Sequence, residues 1–294
     1  MDILHLLRFS QNESITLLGG EPTQHPQLLD ILEIIYKKTK KVSLLTNGLA
    51  DANLYEKIIK KWHTSFLVNV QSAEHSAIPL AKEKLLATIA LFRKNKHAIN
   101  ISYTLNENAD IRFLQRIIEQ DRGEAIKYIR LSAPVPSVAN KQHYRKNKTG
   151  DEYLKIILMV QAIAPSIVFV NECYLDYCMF SKKAYAAVKD LVRTVHGNSL
   201  LFRSCTAATK APIEIFPDMS ATYCYPLYKI DQLHIKNIFD YKSISELRVD
   251  LQKKYDAMNA ALPIDCASAQ CNKPECAGVC LVDKYYLLNT IVSK

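Results

Sequence analysis

Six of the eight cysteines among 294 residues fall in the last third of the chain. Four of them form a closing run, Cys266-x4-Cys271-x4-Cys276-x3-Cys280, with Pro274 and Gly278 supplying turns; Cys205 and Cys224 precede it, and Cys173 and Cys178 lie further upstream. Thiols this close in a short irregular tail fold around a metal or an iron–sulfur cluster far better than around apolar side chains. Four thiolates suit tetrahedral Zn²⁺ equally well, so spacing alone leaves zinc and iron–sulfur open. Cys173 and Cys178 sit beside Tyr174, Tyr177, Met179 and Phe180, where a thiol is as readily a small core residue as a ligand.

The second constellation is ITLLGGEPTQHP from Ile15. Gly19 and Gly20 at a strand end let backbone approach a ligand closely, Glu21 puts a carboxylate in the same mouth, and Pro22 starts the next segment. A carboxylate there suits an ammonium group; a tight turn with a helix-starting acid fits the same residues.

These groups need a scaffold, and the first 135 residues supply one. Apolar, β-branched runs at Ile15–Leu18, Val42–Thr46, Phe66–Val70, Ile99–Leu105 and Ala125–Leu131 alternate with helix-period segments, the pattern of parallel βαβ units. Apolar stripes recur at three- and four-residue steps, as in Leu28, Leu32, Ile35 and in Leu114, Ile117, Ile118, so each helix has one face to bury on a sheet. In such folds the loops at the C-terminal strand ends carry the chemistry. Those positions hold Gly19-Gly20-Glu21-Pro22, Asn47-Gly48, Gln71-Ser72, Asn106 and Arg130-Leu131-Ser132. Residues 136–150 read as a polar connector, followed by a helix from about Tyr153 to Ile163, a strand-like Ile167–Val170 and a helix from about Lys182 to Val195. From Cys205 onward short strands, turns and cysteines are expected to dominate.

Composition excludes the simpler classes. With 49% hydrophobic and 23% charged residues the chain is globular, not disordered or collagenous. The longest apolar stretch, Ile156 to Val170, is interrupted by Gln161, Pro165 and Ser166 and reads as core, not a membrane span. Asp2 stands where a signal peptide carries positive charge, which gives a cytoplasmic expectation and disfavours disulfides. The net charge of +9 is scattered, with clusters at Lys37, Lys38, Lys40, Lys41 and at Arg145, Lys146, Lys148, and without aromatic interleaving it reads as solvated faces, with no nucleic-acid or membrane partner.

Taken together, the GGEP strand, the SLLTNGL strand and the cysteine tail resemble the radical S-adenosylmethionine (radical SAM) superfamily with a C-terminal SPASM/twitch-like auxiliary iron–sulfur domain. The resemblance implies an α/β fold, an incomplete parallel (β/α)6 TIM-like barrel followed by a small cysteine-rich α+β domain. It divides the chain into a partial barrel lacking its first strand at 1–135, connecting helices and strand at 136–200, and the iron–sulfur domain at 201–294. It also implies that Gly19, Gly20 and Glu21 hold the methionine amino group of S-adenosyl-L-methionine, with Ser72, its neighbour Gln71, and Asn106 meeting the ribose or carboxylate. Cys205, Cys224, Cys266, Cys271, Cys276 and Cys280 are then the ligands of one or more [4Fe–4S] auxiliary clusters. Many relatives with such tails modify peptides, so a peptide or protein substrate and an electron donor are the expected partners.

Three departures accompany the resemblance. The closing run is usually Cys-x2-Cys-x5-Cys-x3-Cys, the glycine expected five residues before Cys224 is Met219, and no cysteine precedes Cys173. The family cleaves its cofactor at a cluster held by Cys-x3-Cys-x2-Cys after the first barrel strand, so the sequence as written is expected not to perform that reaction. Either Met1 is an internal methionine, which the otherwise unprotected edge strand at Ile15 favours, or the chain is a non-catalytic binding module with a structural zinc or iron–sulfur site in its tail.

Overall fold

In a computed structural model of the chain, the structure describes residues 14–74, 76–105, 109–132, 149–170, 212–228 and 230–262, with isolated positions 6, 7, 9, 181, 183, 184, 186, 187, 281 and 285. The chain divides into two units, one of residues 2–132 with 151–171 and one of residue 1 with 133–150 and 172–294.

Six strands, β1 (Ile15–Leu17), β2 (Val42–Thr46), β3 (Ser65–Asn69), β4 (Ile99–Thr104), β5 (Ile126–Ser132) and β6 (Val168–Val170), form one sheet in chain order, and each neighbouring pair is parallel. An order that never reverses gives no topological switch point, and right-handed crossovers then place every helix on one face. This is the winding of a partial TIM-like barrel. The first five strands start within a residue of where the sequence pattern puts them. The sixth lies within the strand-like stretch Ile167–Val170: Val168–Val170 pairs with Tyr128–Arg130 in the main sheet.

The helices are α1 (Leu28–Tyr36), α2 (Ala52–Lys61), α3 (Gln71–Glu74), α4 (Ala81–Lys94), α5 (Ile111–Asp121) and α6 (Thr149–Ile163). Asp51 starts α2 by accepting from Asn53 N at 2.7 Å, and Asp110 starts α5 by accepting from Phe113 N at 3.1 Å, which satisfies amides that the first turn leaves unpaired. On α5 the buried stripe is Phe113, Leu114, Ile117 and Ile118, each contributing about 1.5–3 kcal/mol on burial. Tyr55, Phe66 and Phe92 meet between α2, β3 and α4 with ring centroids 4.8 to 6.0 Å apart. The apolar run Ile156–Val170 splits between α6 and β6, with Pro165 and Ser166 in the turn. Among the described residues no helix is long and apolar enough to cross a membrane.

The second unit contains a three-stranded antiparallel sheet, β7 (Glu214–Ile215), β8 (Ala221–Thr222) and β9 (His234–Ile235), and the helix α7 (Ile244–Ala261). Turns alone do not dominate here, because α7 runs for 18 residues. Ser243 caps the helix by accepting from Glu246 N, and Glu246 accepts from Lys242 N just before the cap; Leu247, Leu251 and Tyr255 are its buried stripe. The Tyr255 ring meets Tyr223 at 5.3 Å, and its hydroxyl lies 3.1 Å from Thr222 Oγ1.

Candidate functional site

The loop leaving β1 is built from backbone geometry. Gly19 and Gly20 have φ of +96° and +49°, and among the described residues a Cβ added at either would meet nothing within 4 Å. Glycine is required there by the left-handed conformation, and no described residue crowds the backbone.

Glu21 then clasps this loop to the next strand. Its Oε1 accepts from Thr23 N at 3.0 Å, Thr23 Oγ1 at 2.6 Å and Thr46 Oγ1 at 2.8 Å, and its Oε2 accepts from Asn47 N at 2.6 Å. The carboxylate therefore caps the short turn Pro22–Gln24 and ties β1 to the end of β2. A carboxylate has about four acceptor directions. Three donors crowd Oε1, and Oε2 takes one, so the second oxygen keeps capacity for a ligand.

Behind the clasp, Thr46 Oγ1 lies 3.0 Å from Tyr55 Oη and 3.2 Å from Gly48 N. Because the Thr46 proton goes to Glu21, the Tyr55 hydroxyl donates to Thr46, forming a relay from Tyr55 through Thr46 to Glu21. Burial pushes the Tyr55 phenol up to about 12, and the charge on Glu21 adds to the shift while the Thr46 bond opposes it. Tyr55 thus stays a donor at neutral pH. Gly48 has φ +75°, and a Cβ there would lie 2.6 Å from Leu85 Cδ1 and 3.0 Å from Val68 Cγ1; unlike Gly19, this glycine is required by both conformation and space.

At the ends of β3, β4 and β5 the side chains cross-link strands. Gln71 accepts from Thr104 N at 2.7 Å and donates to Thr104 O, so this buried amide straps the start of α3 to the end of β4. Ser72 follows it in α3. Arg130 donates from Nε at 3.1 Å and Nη2 at 3.0 Å to Ser102 Oγ, and Thr104 Oγ1 and Ser132 Oγ lie 3.0 Å apart. These residues share the face turned away from the helices, in rows set by the parallel register Asn69, Ser102, Arg130 and Thr104, Ser132. Sequence reasoning missed Thr46 and Tyr55; it named Arg130 as a strand-end position but gave it no binding role. Arg130 had a visible signal, a charged residue alternating with the buried Ile129 and Leu131.

Of the cysteines, Cys224 is described: it is half-buried directly after Tyr223, and its N–H donates to Thr222 Oγ1 at 3.4 Å. Cys173, Cys178, Cys205, Cys266, Cys271, Cys276 and Cys280 lie outside the described residues, as do Asn106, the 136–148 part of the connector and most of the 182–195 helix. Gly150, read as connector, is helical in α6. Among the described residues no group of three or more His, Cys, Asp or Glu side chains is placed to hold a metal ion. Met219, where the resemblance leads one to expect glycine, has φ +66°. It follows a turn in which Met219 N donates to Phe216 O and Phe216 N to Ser220 O, both at 2.9 Å, the three-residue hairpin whose last position takes a left-handed residue.

No protein-family model matches the sequence, and no curated protein does. Solved structures share the fold. They include Streptococcus suis SuiB, at TM-score 0.54 and 15% identity over 78% of this chain and 54% of that one, and SuiB bound to S-adenosylmethionine, at TM-score 0.56 and 13% identity over 78% and 53%. A third, hexahistidine-tagged anSMEcpe with bound AdoMet, aligns at TM-score 0.54 and 18% identity over 83% of this chain and 69% of that one. The chain thus spans about half the length of SuiB, and what it shares with all three is an α/β fold of parallel strands.

Proposed function

We propose that the chain is a radical SAM enzyme-like protein whose barrel binds S-adenosylmethionine at the C-terminal ends of its parallel strands. The observation that carries the reading is the Glu21 clasp. Beside two glycines that no described residue crowds stands a carboxylate fixed by four donors, with acceptor capacity left on Oε2. Gly19, Gly20 and Glu21 would hold the methionine ammonium group, Arg130 has the charge and planar donors that suit its carboxylate, and Ser72 and Asn106 would meet the ribose. Two of the solved structures sharing this fold contain S-adenosylmethionine.

When bound and reduced by a [4Fe–4S] cluster, this cofactor supplies radical hydrogen-abstraction chemistry. The chain's own residues do the positioning. Glu21 is held in place by Thr23, Thr46 and the Asn47 amide, so it meets a cation without reorganising. Residues 1–172 contain no cysteine, so thiolates for a cofactor-cleaving cluster are not among them, and binding is the property to test. In the tail, Cys205, Cys224, Cys266, Cys271, Cys276 and Cys280 would hold a [4Fe–4S] auxiliary cluster in a cysteine-rich domain at 201–294, and a peptide or protein is the proposed substrate.

Calorimetric titration with S-adenosylmethionine tests the reading. One saturable site is expected, weakened at least tenfold in Arg130→Met; no heat up to millimolar ligand overturns it. A second reading is a non-catalytic binding module with a structural zinc or iron–sulfur site in its tail, since four closely spaced thiolates suit tetrahedral Zn²⁺ equally well. Iron and sulfide content after anaerobic preparation separates the two metals, and zinc without sulfide supports only the second reading.

A further inference from the structure

Where α1 and α2 end, on the side of the sheet away from the glycine loop, the surface folds into a cleft of about 410 Å³. That size is within the range of small-molecule sites. Its floor is aromatic: Tyr36 and Trp62 stack with centroids 5.8 Å apart and planes at 17°, both are buried, and Tyr36 Oη lies 3.0 Å from Thr64 Oγ1. Its rim carries Lys37, Lys38, Lys40 and Lys61, all exposed, and one carboxylate, Glu33.

The charge on this rim is only partly accounted for. Lys61 pairs with Glu33 and sits 4.7 Å over the Trp62 ring, and Lys40 donates to Tyr36 O at 3.3 Å. Among the described residues, Lys37, Lys38 and Lys40 have no carboxylate within ion-pair distance. The C-terminal ends of α1 and α2 present roughly half a negative charge each, about −1 against the +3 left after Glu33. Solvated lysines at helix ends account for part of the cluster, and an excess of about two positive charges remains around a concave surface.

We propose that this cleft is a binding site for a compact polyanion of the di- or triphosphate type, separate from the cofactor site. The geometry disfavours a nucleobase, because Trp62 already stacks on Tyr36 and has Lys61 4.7 Å over its ring, and both aromatic side chains are buried. Recognition by ammonium groups alone suits phosphate oxygens, which accept from point charges without demanding the planar fork of arginine. Site and ligand are independent of the cofactor reading, so either can fail alone.

The chain has one tryptophan, Trp62, so its fluorescence reports on this cleft without labelling. Titration of the full chain with inorganic pyrophosphate at constant ionic strength is expected to give a saturable change with a sub-millimolar midpoint. In Lys37→Gln/Lys40→Gln the midpoint moves at least tenfold higher while the melting temperature stays within two degrees of the parent, and Lys57→Gln/Lys94→Gln, a charge-matched pair elsewhere, leaves it unchanged. The proposal is overturned by an unsaturable response, by the same response to sodium chloride, or by equal weakening in both double variants.

Discussion

Replacing Glu21 distinguishes a clasp from a ligand group held free for solvent. In Glu21→Gln the amide oxygen can take the crowded side, where Thr23 N, Thr23 Oγ1 and Thr46 Oγ1 all donate, which leaves the NH₂ group facing Asn47 N across what was a 2.6 Å contact. One charge-assisted bond is lost and two donors oppose each other. Hydrogen bonds to charged groups contribute about 1.5–3 kcal/mol each, so a loss of about 2 kcal/mol is expected. Glu21→Ala removes all four acceptor contacts, but the two threonine hydroxyls can turn to other partners, so its cost is about 3–4 kcal/mol by the same measure. Both leave a domain that ordinarily has 5–15 kcal/mol folded. Urea unfolding followed by circular dichroism measures the difference, and adding Thr46→Val to each variant should recover about 1 kcal/mol of coupling, as residues in one network do. An unfolding free energy for Glu21→Gln within about 0.5 kcal/mol of the parent would refute the clasp.

Three further perturbations bear on the same scaffold. Gly48→Ala meets Leu85 and Val68 at 2.6 and 3.0 Å as well as an adverse φ, whereas Gly19→Ala meets only the φ penalty; thermal melts should show a loss of about 3 kcal/mol or more for the first and about 1–2 kcal/mol for the second, and equal losses would mean space plays no part. Met219→Gly relieves a left-handed methionine at φ +66° and should stabilise the second unit by about 1 kcal/mol in denaturant unfolding. The Lys82 ammonium, 2.7 Å from Asp110 Oδ2, holds that carboxyl below its ordinary 3.8. Because the folded value is depressed, the contribution is complete above pH 3.8 and is lost as pH falls through the lower folded value. Both partners are about a third exposed, so Lys82→Met should cost under about 1 kcal/mol at pH 7, a difference that closes in acid melts as pH falls through the depressed folded value of Asp110.

The strands and helices of the barrel were legible because each buries one periodic face. Leu28, Leu32 and Ile35, or Phe66 and Val68 on alternate positions, state their partner surface in their spacing. What sequence did not state are bonds between residues far apart in the chain. Glu21 could be read as a turn-starting acid or as a ligand carboxylate, and the structure makes it the cap of Pro22–Gln24 through Thr23 and also a tie to Thr46 and Asn47, 25 and 26 residues on. Gln71 carried the right polarity in the right loop, yet Thr104 occupies both ends of its amide. The helix Ile244–Ala261 went unread although Ser243 and Glu246 mark its start, because its buried stripe is only Leu247, Leu251 and Tyr255 among polar neighbours, too narrow to outweigh the cysteines around it. Val168–Val170 is so short that only its pairing reveals it as a barrel strand.

The strongest reason to place a ligand at the strand ends is what the helix-free face of the sheet is made of. A closed barrel fills its interior with layers of Val, Ile and Leu. Here one row runs Leu45, Leu67, Asn100, Tyr128, Val168, and the next toward the strand ends runs Asn69, Ser102, Arg130, Val170. An arginine sealed in a dry core would cost several kcal/mol even when hydrogen-bonded. Arg130 stays half-buried, with Ser102 fixing Nε and Nη2, which orients the guanidinium at little entropic cost. Polarity rises along the strands, from the leucine pair to a positioned cation, a gradient that packing does not require; in the proposed reading a zwitterionic ligand would use it, its ammonium meeting Glu21 and its carboxylate Arg130.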